Sequence, residues 1–178
     1  MFFIIRRSVV DRVVSTVLVV AWSTVIFLFS AQSGEDSGGM SGGLIEAMLS
    51  VFYPKFNDLT LLEQENLVLA WQFFVRKAAH FSEYAILGVL SANAARAYFK
   101  RNRLRFFLPA AFCFLCAVSD ELHQYFVPDR ACRAFDIMID TIGSLVGIVL
   151  FFVLMIFIKK VKNKGKSQST KINEEKTV

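Results

Sequence analysis

Apolar residues dominate four stretches of this chain, and shorter polar segments separate them. A helix needs about 20 mostly apolar residues to cross a bilayer. The stretches at about 13–31, 78–99, 104–124 and 135–158 are each long enough. The pattern predicts an all-α integral membrane protein, a bundle of four transmembrane helices.

The first stretch also has features of a signal peptide, because Arg6 and Arg7 precede it. Its apolar run is longer than a usual signal-peptide core, and cleavage after Ala31 would place Phe29 where a small residue is needed. The first stretch is therefore predicted to remain as a membrane anchor.

The segment between the first two spans is predicted to be a partly helical outer loop. Residues 33–43 are rich in Gly and Ser and should be flexible. Residues 44–52 have apolar side chains at helical spacing, which predicts a short amphipathic helix. Thr60 and Glu63 form a capping-box pattern before the apolar run 67–75. That run either extends the second span outward or lies in the membrane interface.

Composition and charge support this topology. The 178 residues are 55% hydrophobic and carry a formal net charge of +5. Basic residues concentrate in residues 1–12, 100–105 and 159–178, which a four-span topology places on one side. By the positive-inside rule that side is cytoplasmic, so both termini are cytoplasmic. The basic charge thus reflects topology, no nucleic-acid partner is predicted, and the tail 159–178 should be disordered.

Ionisable residues interrupt the second span. Arg76, His80 and Glu83 follow an i, i+4, i+7 spacing and share one helical face, with Lys77 and Tyr84 beside it. Charged groups cost about 2.5–3.5 kcal/mol or more at the bilayer centre. This face must therefore point at protein or water.

The third and fourth spans repeat this feature at their outer ends. Asp120, His123 and Gln124 share a face at the end of the third span, and Asp136 and Asp140 open the fourth. The topology places these groups and the polar face of the second span together in the outer leaflet. They should form one outward-facing polar pocket.

The pocket has two interpretations. It is a ligand site, or it is a buried ion-pair cluster that holds three helices together. As a site, its candidate catalytic residues are His80, Glu83 and Asp120. The candidate ligand-binding residues are Arg76, Lys77, His80, Glu83, Asp120, Glu121, Gln124, Arg130, Asp136 and Asp140.

Other chemistry finds little support in local spacing. A metal site is an alternative, since nitrogen and oxygen ligands are offered by His80, Glu83, Asp120, His123 and Asp136. No strong zinc motif or Gly-x-Ser-x-Gly nucleophile motif occurs, however, so no metal or cofactor is predicted. Cys113 and Cys116 spell Cys-x-x-Cys, but in mid-span they should behave as small hydrophobic residues. Gly143 and Gly147 form Gly-x-x-x-Gly, which favours close helix packing within or between chains. The oligomeric state therefore stays open.

Several of these residues together resemble the signatures of the VanZ-like membrane proteins. The matching blocks are Arg76-Lys77-x-x-His80-Phe81-x-Glu83-Tyr84-x-x-Leu87-Gly88 and Asp120-Glu121-x-x-Gln124-x-Phe126-Val127-Pro128-x-Arg130, followed by Asp136, Asp140 and Gly143. The exit of the first span, Phe29-Ser30-x-Gln32-Ser33-Gly34, also fits. One departure is Asp129, where the family more usually has Gly. The resemblance implies a bacterial cytoplasmic-membrane protein of about four helices. It also implies a link to low-level teicoplanin resistance, without a settled reaction.

Three functions remain in competition. An envelope-homeostasis protein would use Arg76, Lys77 and Arg130 to hold an anionic group of a lipid-linked cell-wall precursor, a membrane lipid or a glycopeptide. A membrane enzyme would use Glu83 or Asp120 as a general base with His80 as its partner. An ion-coupled carrier would use the same acidic residues. The binding function is favoured, because no nucleophile is visible.

Overall fold

The structure, a computed structural model, describes residues 8–128, 130 and 133–175. Its elements are five α-helices and one 3-10 turn: α1 (Val9–Ser30), α2 (Gly34–Phe52), the turn Phe56–Asp58, α3 (Leu61–Tyr98), α4 (Asn102–Gln124) and α5 (Ala134–Glu175). The secondary structure of the described residues is entirely helical, as the hydropathy pattern predicts.

Three of the helices are long and apolar enough to cross a membrane. They are α1, α4 and the part of α5 from Ala134 to Lys164. Among the described residues α3 does not meet the same criterion, because His80, Glu83 and Asn93 interrupt its apolar residues. The predicted count of four spans is therefore not confirmed by length and composition.

α3 is one continuous helix of 38 residues. At 1.5 Å per residue it is about 57 Å long, well beyond the roughly 30 Å hydrocarbon core of a bilayer. Residues 61–75 therefore extend the helix beyond the predicted span and are not a separate segment. The predicted capping box is present, since Thr60 Oγ1 accepts from Glu63 N while the Glu63 carboxylate accepts from Thr60 N at 2.9 Å. These hydrogen bonds hold the pKa of Glu63 below its usual value.

α2 begins earlier than the sequence predicts. The segment 33–43 was expected to be flexible, but helix starts at Gly34. α2 packs on the outer part of α3, where Gln72 Nε2 donates to Gly38 O at 3.1 Å and Ile45 is buried. Tertiary packing here outweighs the poor helix propensity of glycine.

α5 ends later than the sequence predicts. The tail 159–178 was expected to be disordered, but the helix continues through Glu175. Lys is a good helix former, and a helix already nucleated in the span gains one hydrogen bond for each residue added. The high charge of the tail was therefore not a reliable signal for the end of α5.

The helix directions bring the polar segments to one end of the bundle. α3 and α5 run parallel, because contacts advance together from Lys77–Asp136 to Arg96–Met155. α1 runs antiparallel to α3, since Trp22 Nε1 donates to Glu83 O at 2.9 Å whereas Thr16, earlier in α1, contacts Tyr98 at the end of α3. The end of α4 lies beside the start of α5. The predicted convergence of the three helices is thus present in the fold.

The inner part of the α3–α5 interface is made by glycines. A Cβ added at Gly143 would collide with the Phe81 carbonyl, and one at Gly147 with the Ala85 carbonyl. Gly88 is equally tight from the α3 side. The Gly-x-x-x-Gly motif therefore packs two helices within one chain.

The two cysteines of the Cys-x-x-Cys sequence lie within the bundle. Cys113 is fully buried in an apolar cluster with Tyr84 and Leu87, and Cys116 packs against that cluster. Both thiols are free. This placement agrees with their interpretation as small hydrophobic residues.

Candidate functional site

Two polar contacts join α3 to α5 at the end of their interface nearest the start of α5, which we call the outer end. Lys77 Nζ and Asp136 Oδ1 form an ion pair, with side chains 17% and 9% exposed. About one turn deeper, His80 Nδ1 lies 3.6 Å from Asp140 Oδ1. Because the two helices run parallel, residues three apart on α3 pair with residues four apart on α5.

The end of α4 adds three buried polar side chains. Asp120, Glu121 and Gln124 are all buried. Gln124 Nε2 donates to Asp120 Oδ2 at 3.3 Å, within one turn of the helix. Glu121 Oε2 accepts from the backbone N–H of Arg133 at 2.8 Å. This last bond ties the end of α4 to the start of α5.

Arg130 lies in the connection between α4 and α5. One guanidinium nitrogen donates to Phe29 O at 3.3 Å, at the end of α1. Burial and the positive charge of Arg76 lower the pKa of Arg130, although a guanidinium stays protonated in proteins. The predicted departure at Asp129 lies outside the described residues.

A cavity of about 260 Å³ opens between these elements. Its described lining holds more positive than negative side chains: Arg76, Lys77, Arg130 and Arg133 against Asp136. The remaining lining residues are Leu69, Gln72, Phe73, His80 and Gln124. The cavity is therefore positively charged overall.

The structure gathers the predicted site residues at this end of the bundle, in two layers. Those that line the cavity are Arg76, Lys77, His80, Gln124, Arg130 and Asp136. Asp120, Glu121 and Asp140 are buried and are not part of the lining. Glu83 is partly buried and does not line the cavity.

Four lining residues are absent from the predicted set: Leu69, Gln72, Phe73 and Arg133. On α3, Arg76 is preceded by Leu69, Gln72 and Phe73 at intervals of seven, four and three residues. They continue the same helical face outward, so helical periodicity was a usable signal once 61–75 was assigned to the helix. Arg133 was recognised from the sequence as a cation of the pocket but was not included among the candidate ligand-binding residues.

Two other polar residues of the sequence pattern take packing roles. The His123 ring lies 4.5 Å from the Phe27 ring, which joins α4 to α1. Tyr84 is fully buried in the apolar cluster. Neither lines the cavity.

Below the cavity, three helices each contribute one potential metal-ligating side chain. One ligand atom from each of His80, Asp120 and Asp140 lies within 4.8 Å of the others. Asp140 is fully buried, and among the described residues neither of its carboxylate oxygens has a hydrogen-bond partner. Local sequence spacing could not reveal this group, because its members come from α3, α4 and α5.

Comparisons with known proteins give one match. No curated protein and no solved structure matches the chain. The family model described as VanZ/LLP1 matches residues 15–157, which cover all three apolar helices except the ends of α1 and α5 and include every candidate site residue. The resemblance seen in the sequence motifs is thereby confirmed, and this membrane protein belongs to the VanZ/LLP1 family.

Proposed function

We propose that this protein binds the anionic headgroup of a lipid or lipid-linked envelope precursor in its outer cavity. The observation that carries the proposal is the excess of basic side chains around that small cavity. Through this binding the protein would contribute to envelope homeostasis and, indirectly, to glycopeptide resistance in the bacterial cytoplasmic membrane.

The charge balance supports an anionic ligand. Asp136 is already engaged by Lys77, so the guanidinium groups of Arg76, Arg130 and Arg133 supply the net positive charge. A guanidinium matches phosphate and carboxylate oxygens with two parallel hydrogen bonds. Phosphate oxygens satisfy several such groups at once.

The volume supports a headgroup over a larger molecule. Pockets for drug-sized ligands measure about 300–1,000 Å³, and this cavity is about 260 Å³. A phosphate or diphosphate group fits this space, whereas an entire glycopeptide does not. The apolar Leu69 and Phe73 at the same wall would contact the first carbons of a lipid chain.

The proposal places α3 in the membrane as the fourth span, over residues 78–98. Its polar face meets α1, α4 and α5, so charged groups that would be costly in lipid face protein instead. Large apolar side chains such as Phe107, Leu115 and Phe157 are exposed on the outside of the bundle, where lipid would cover them. The basic segments at the opposite end put both termini in the cytoplasm and the cavity outside.

A second candidate function is an enzyme that acts on a lipid-linked substrate. The observation that favours it is the buried group of His80, Asp120 and Asp140 next to the cavity. Under this function Asp120→Asn would abolish turnover of the bound lipid while its affinity stays nearly unchanged.

The direct test measures binding of a polyprenyl diphosphate to the purified protein in neutral-lipid nanodiscs. We expect Arg130→Ala to weaken binding at least about tenfold, since a charge-assisted hydrogen bond is worth about 1.5–3 kcal/mol. Arg130→Lys should lose much of the same affinity, because an ammonium cannot make the paired contact. The matched control is Arg103→Ala, an exposed cation at the start of α4.

Two results would contradict the proposal. One is equal affinity of the wild type and Arg130→Ala for the diphosphate. The other is equal affinity of the wild type for the uncharged polyprenol. Either would show that the basic cavity does not recognise the headgroup.

The physiological role is tested by complementation of a deletion strain. Wild type, Arg130→Ala and Arg103→Ala are compared at equal membrane abundance. Teicoplanin susceptibility and the lipid-linked envelope intermediates are then measured by growth and mass spectrometry. We expect only Arg130→Ala to fail, with one class of intermediate accumulating. Failure only through loss of abundance would instead identify the cluster as a structural ion-pair network.

A further inference from the structure

One buried carboxylate in the bundle has a histidine neighbour but no hydrogen bond from a described residue. The Asp140 side chain is fully buried, and neither of its oxygens accepts a hydrogen bond from a described residue. One turn away, Asp136 is held by Lys77. A buried, charged carboxylate without a hydrogen bond costs several kcal/mol, and either protonation or a bound cation removes that cost.

The surroundings of Asp140 suit a metal ion. The His80 Nδ1 atom also lacks a hydrogen-bond partner in the described part of the chain, and it lies 3.6 Å from Asp140 Oδ1. That separation is too long for a hydrogen bond. It is close to the roughly 3.4 Å between two ligand atoms that each lie about 2.1 Å from a tetrahedral ion.

Asp120 supplies a third ligand from another helix. Its carboxylate belongs to the group whose ligand atoms all lie within 4.8 Å of one another. A side-chain shift of about 1 Å brings that spacing into the range for a common ion. Gln124 Nε2 donates to Asp120 Oδ2 and would orient this carboxylate, as outer hydrogen bonds orient metal ligands.

We propose that His80, Asp120 and Asp140 bind one divalent first-row transition-metal ion, of the Zn²⁺ or Mn²⁺ type. One imidazole nitrogen and two carboxylate oxygens form a mixed set that these ions accept. The two carboxylates neutralise the ion, which removes the cost of burying them. Three protein ligands also leave at least one coordination position open.

The open position would face the cavity. His80 is both a member of the group and part of the cavity lining. A phosphate oxygen held by the cavity arginines would lie within reach of the ion. The metal site does not depend on that ligand, because its own three side chains define it.

The experiment uses the full-length protein purified in detergent without chelators. Metal content is measured by mass spectrometry, and Co²⁺ is then loaded as an optical probe. We expect about one equivalent of metal in the wild type. Loss of at least about 90% of the metal and of the Co²⁺ absorption bands is expected in His80→Asn and Asp140→Asn.

Matched controls are available on the same helices or with the same residue type. Asp136→Asn removes the paired aspartate one turn from Asp140, and His123→Asn removes the histidine that stacks on Phe27. Both should keep the metal. Equal metal content in all four variants, or a wild type that binds neither native metal nor Co²⁺, would overturn the proposal.

A measurement on the wild type covers the case in which the site variants fail to fold. X-ray absorption of the Zn²⁺-loaded protein should show one imidazole, oxygen ligands and no sulfur. Sulfur ligation would place the ion at the cysteines and overturn the assignment. A failure of the metal site would leave the Arg130 binding test unaffected, so the two proposals fail separately.

Discussion

The two halves of the α3–α5 interface are built in opposite ways. In the inner half, Gly88, Gly143 and Gly147 bring the helix backbones into direct contact. In the outer half the same parallel helices carry the Lys77–Asp136 ion pair beside a cavity of about 260 Å³. The inner half leaves no room for side chains between the helices, whereas the outer half places charged side chains around a cavity.

This difference separates stability from the proposed function. Close glycine packing fixes the register of α5 along α3. Once the register is fixed, the backbone places Asp136 opposite Lys77 and Asp140 opposite His80. The inner half therefore positions the outer half.

The largest effect is expected from Gly147→Leu. Its side chain would meet the Ala85 backbone carbonyl, which cannot rotate away, so the helices must separate. We expect a loss of about 3 kcal/mol or more, with little protein left in the membrane. Abundance and thermal unfolding in detergent measure it.

The control for this change is Gly39→Ala in α2, where an added Cβ meets no atom within 4 Å. It should be neutral or slightly stabilising, because alanine favours helix. Normal abundance and stability of Gly147→Leu would show that the glycine contact does not position the interface.

The next effect is expected from Lys77→Met, which leaves the Asp136 carboxylate mostly buried and unpaired. Breaking a buried pair costs about 3–5 kcal/mol, and the partial exposure of Lys77 should place this case near the lower end. The double variant Lys77→Met/Asp136→Leu should recover much of that loss, as measured by a double-mutant cycle. No recovery would mean that the two residues are not energetically coupled.

Helical spacing and topology predicted six of the residues that line the cavity but missed Leu69, Gln72 and Phe73. The stripe of Arg76, His80 and Glu83 and the alternation of helix direction needed only helical spacing and topology. The different surroundings of Asp136 and Asp140 could not be predicted from the sequence, because two aspartates four residues apart lie on the same face of a helix. Only the structure shows that Asp136 forms an ion pair with Lys77, whereas Asp140 lies beside His80 without accepting a hydrogen bond from a described residue.

The errors in the predicted fold have a common physical origin. The glycine-rich segment 33–43 was assigned from intrinsic propensity, yet α2 packs against α3 through Gln72 and Gly38. The tail was assigned from charge, yet α5 propagates through it. Contacts between residues distant in sequence make the glycine-rich segment helical, and the continuation of a long helix makes the tail helical.

A smaller effect is expected from Trp22→Phe, near the boundary between the two halves. This change removes the hydrogen bond from Trp22 Nε1 to Glu83 O, which is 2.9 Å long. The cost should be about 1–2 kcal/mol from the lost bond and the smaller ring. The control, Trp71→Phe, changes an exposed ring and should stay within about 0.5 kcal/mol in thermal unfolding. Equal costs for both would remove Trp22 as a link between α1 and α3.

The smallest effect is expected at the start of α3, beyond both halves of the interface. Thr60→Ala removes the cap from an exposed helix end and should cost about 1 kcal/mol of local stability. Amide hydrogen exchange at residues 61–64 should rise several-fold, while protection around Gly88 stays unchanged. If protection at Gly88 fell as well, the outer extension of α3 would be coupled to the glycine contact.

The same cap predicts a pH dependence with a definite sign. Hydrogen bonds from Thr60 lower the pKa of Glu63 in the folded state. The charged carboxylate therefore stabilises the helix end above its unfolded pKa, and this contribution is lost as the pH falls through the folded pKa. Exchange at residues 61–64 should accelerate below about pH 4 relative to the intrinsic rate. Thr60→Ala should reduce this acceleration, because the Thr60 hydroxyl no longer donates to the carboxylate. An unchanged profile would show that Glu63 does not depend on its cap, and that the start of α3 is held by packing against α2 instead.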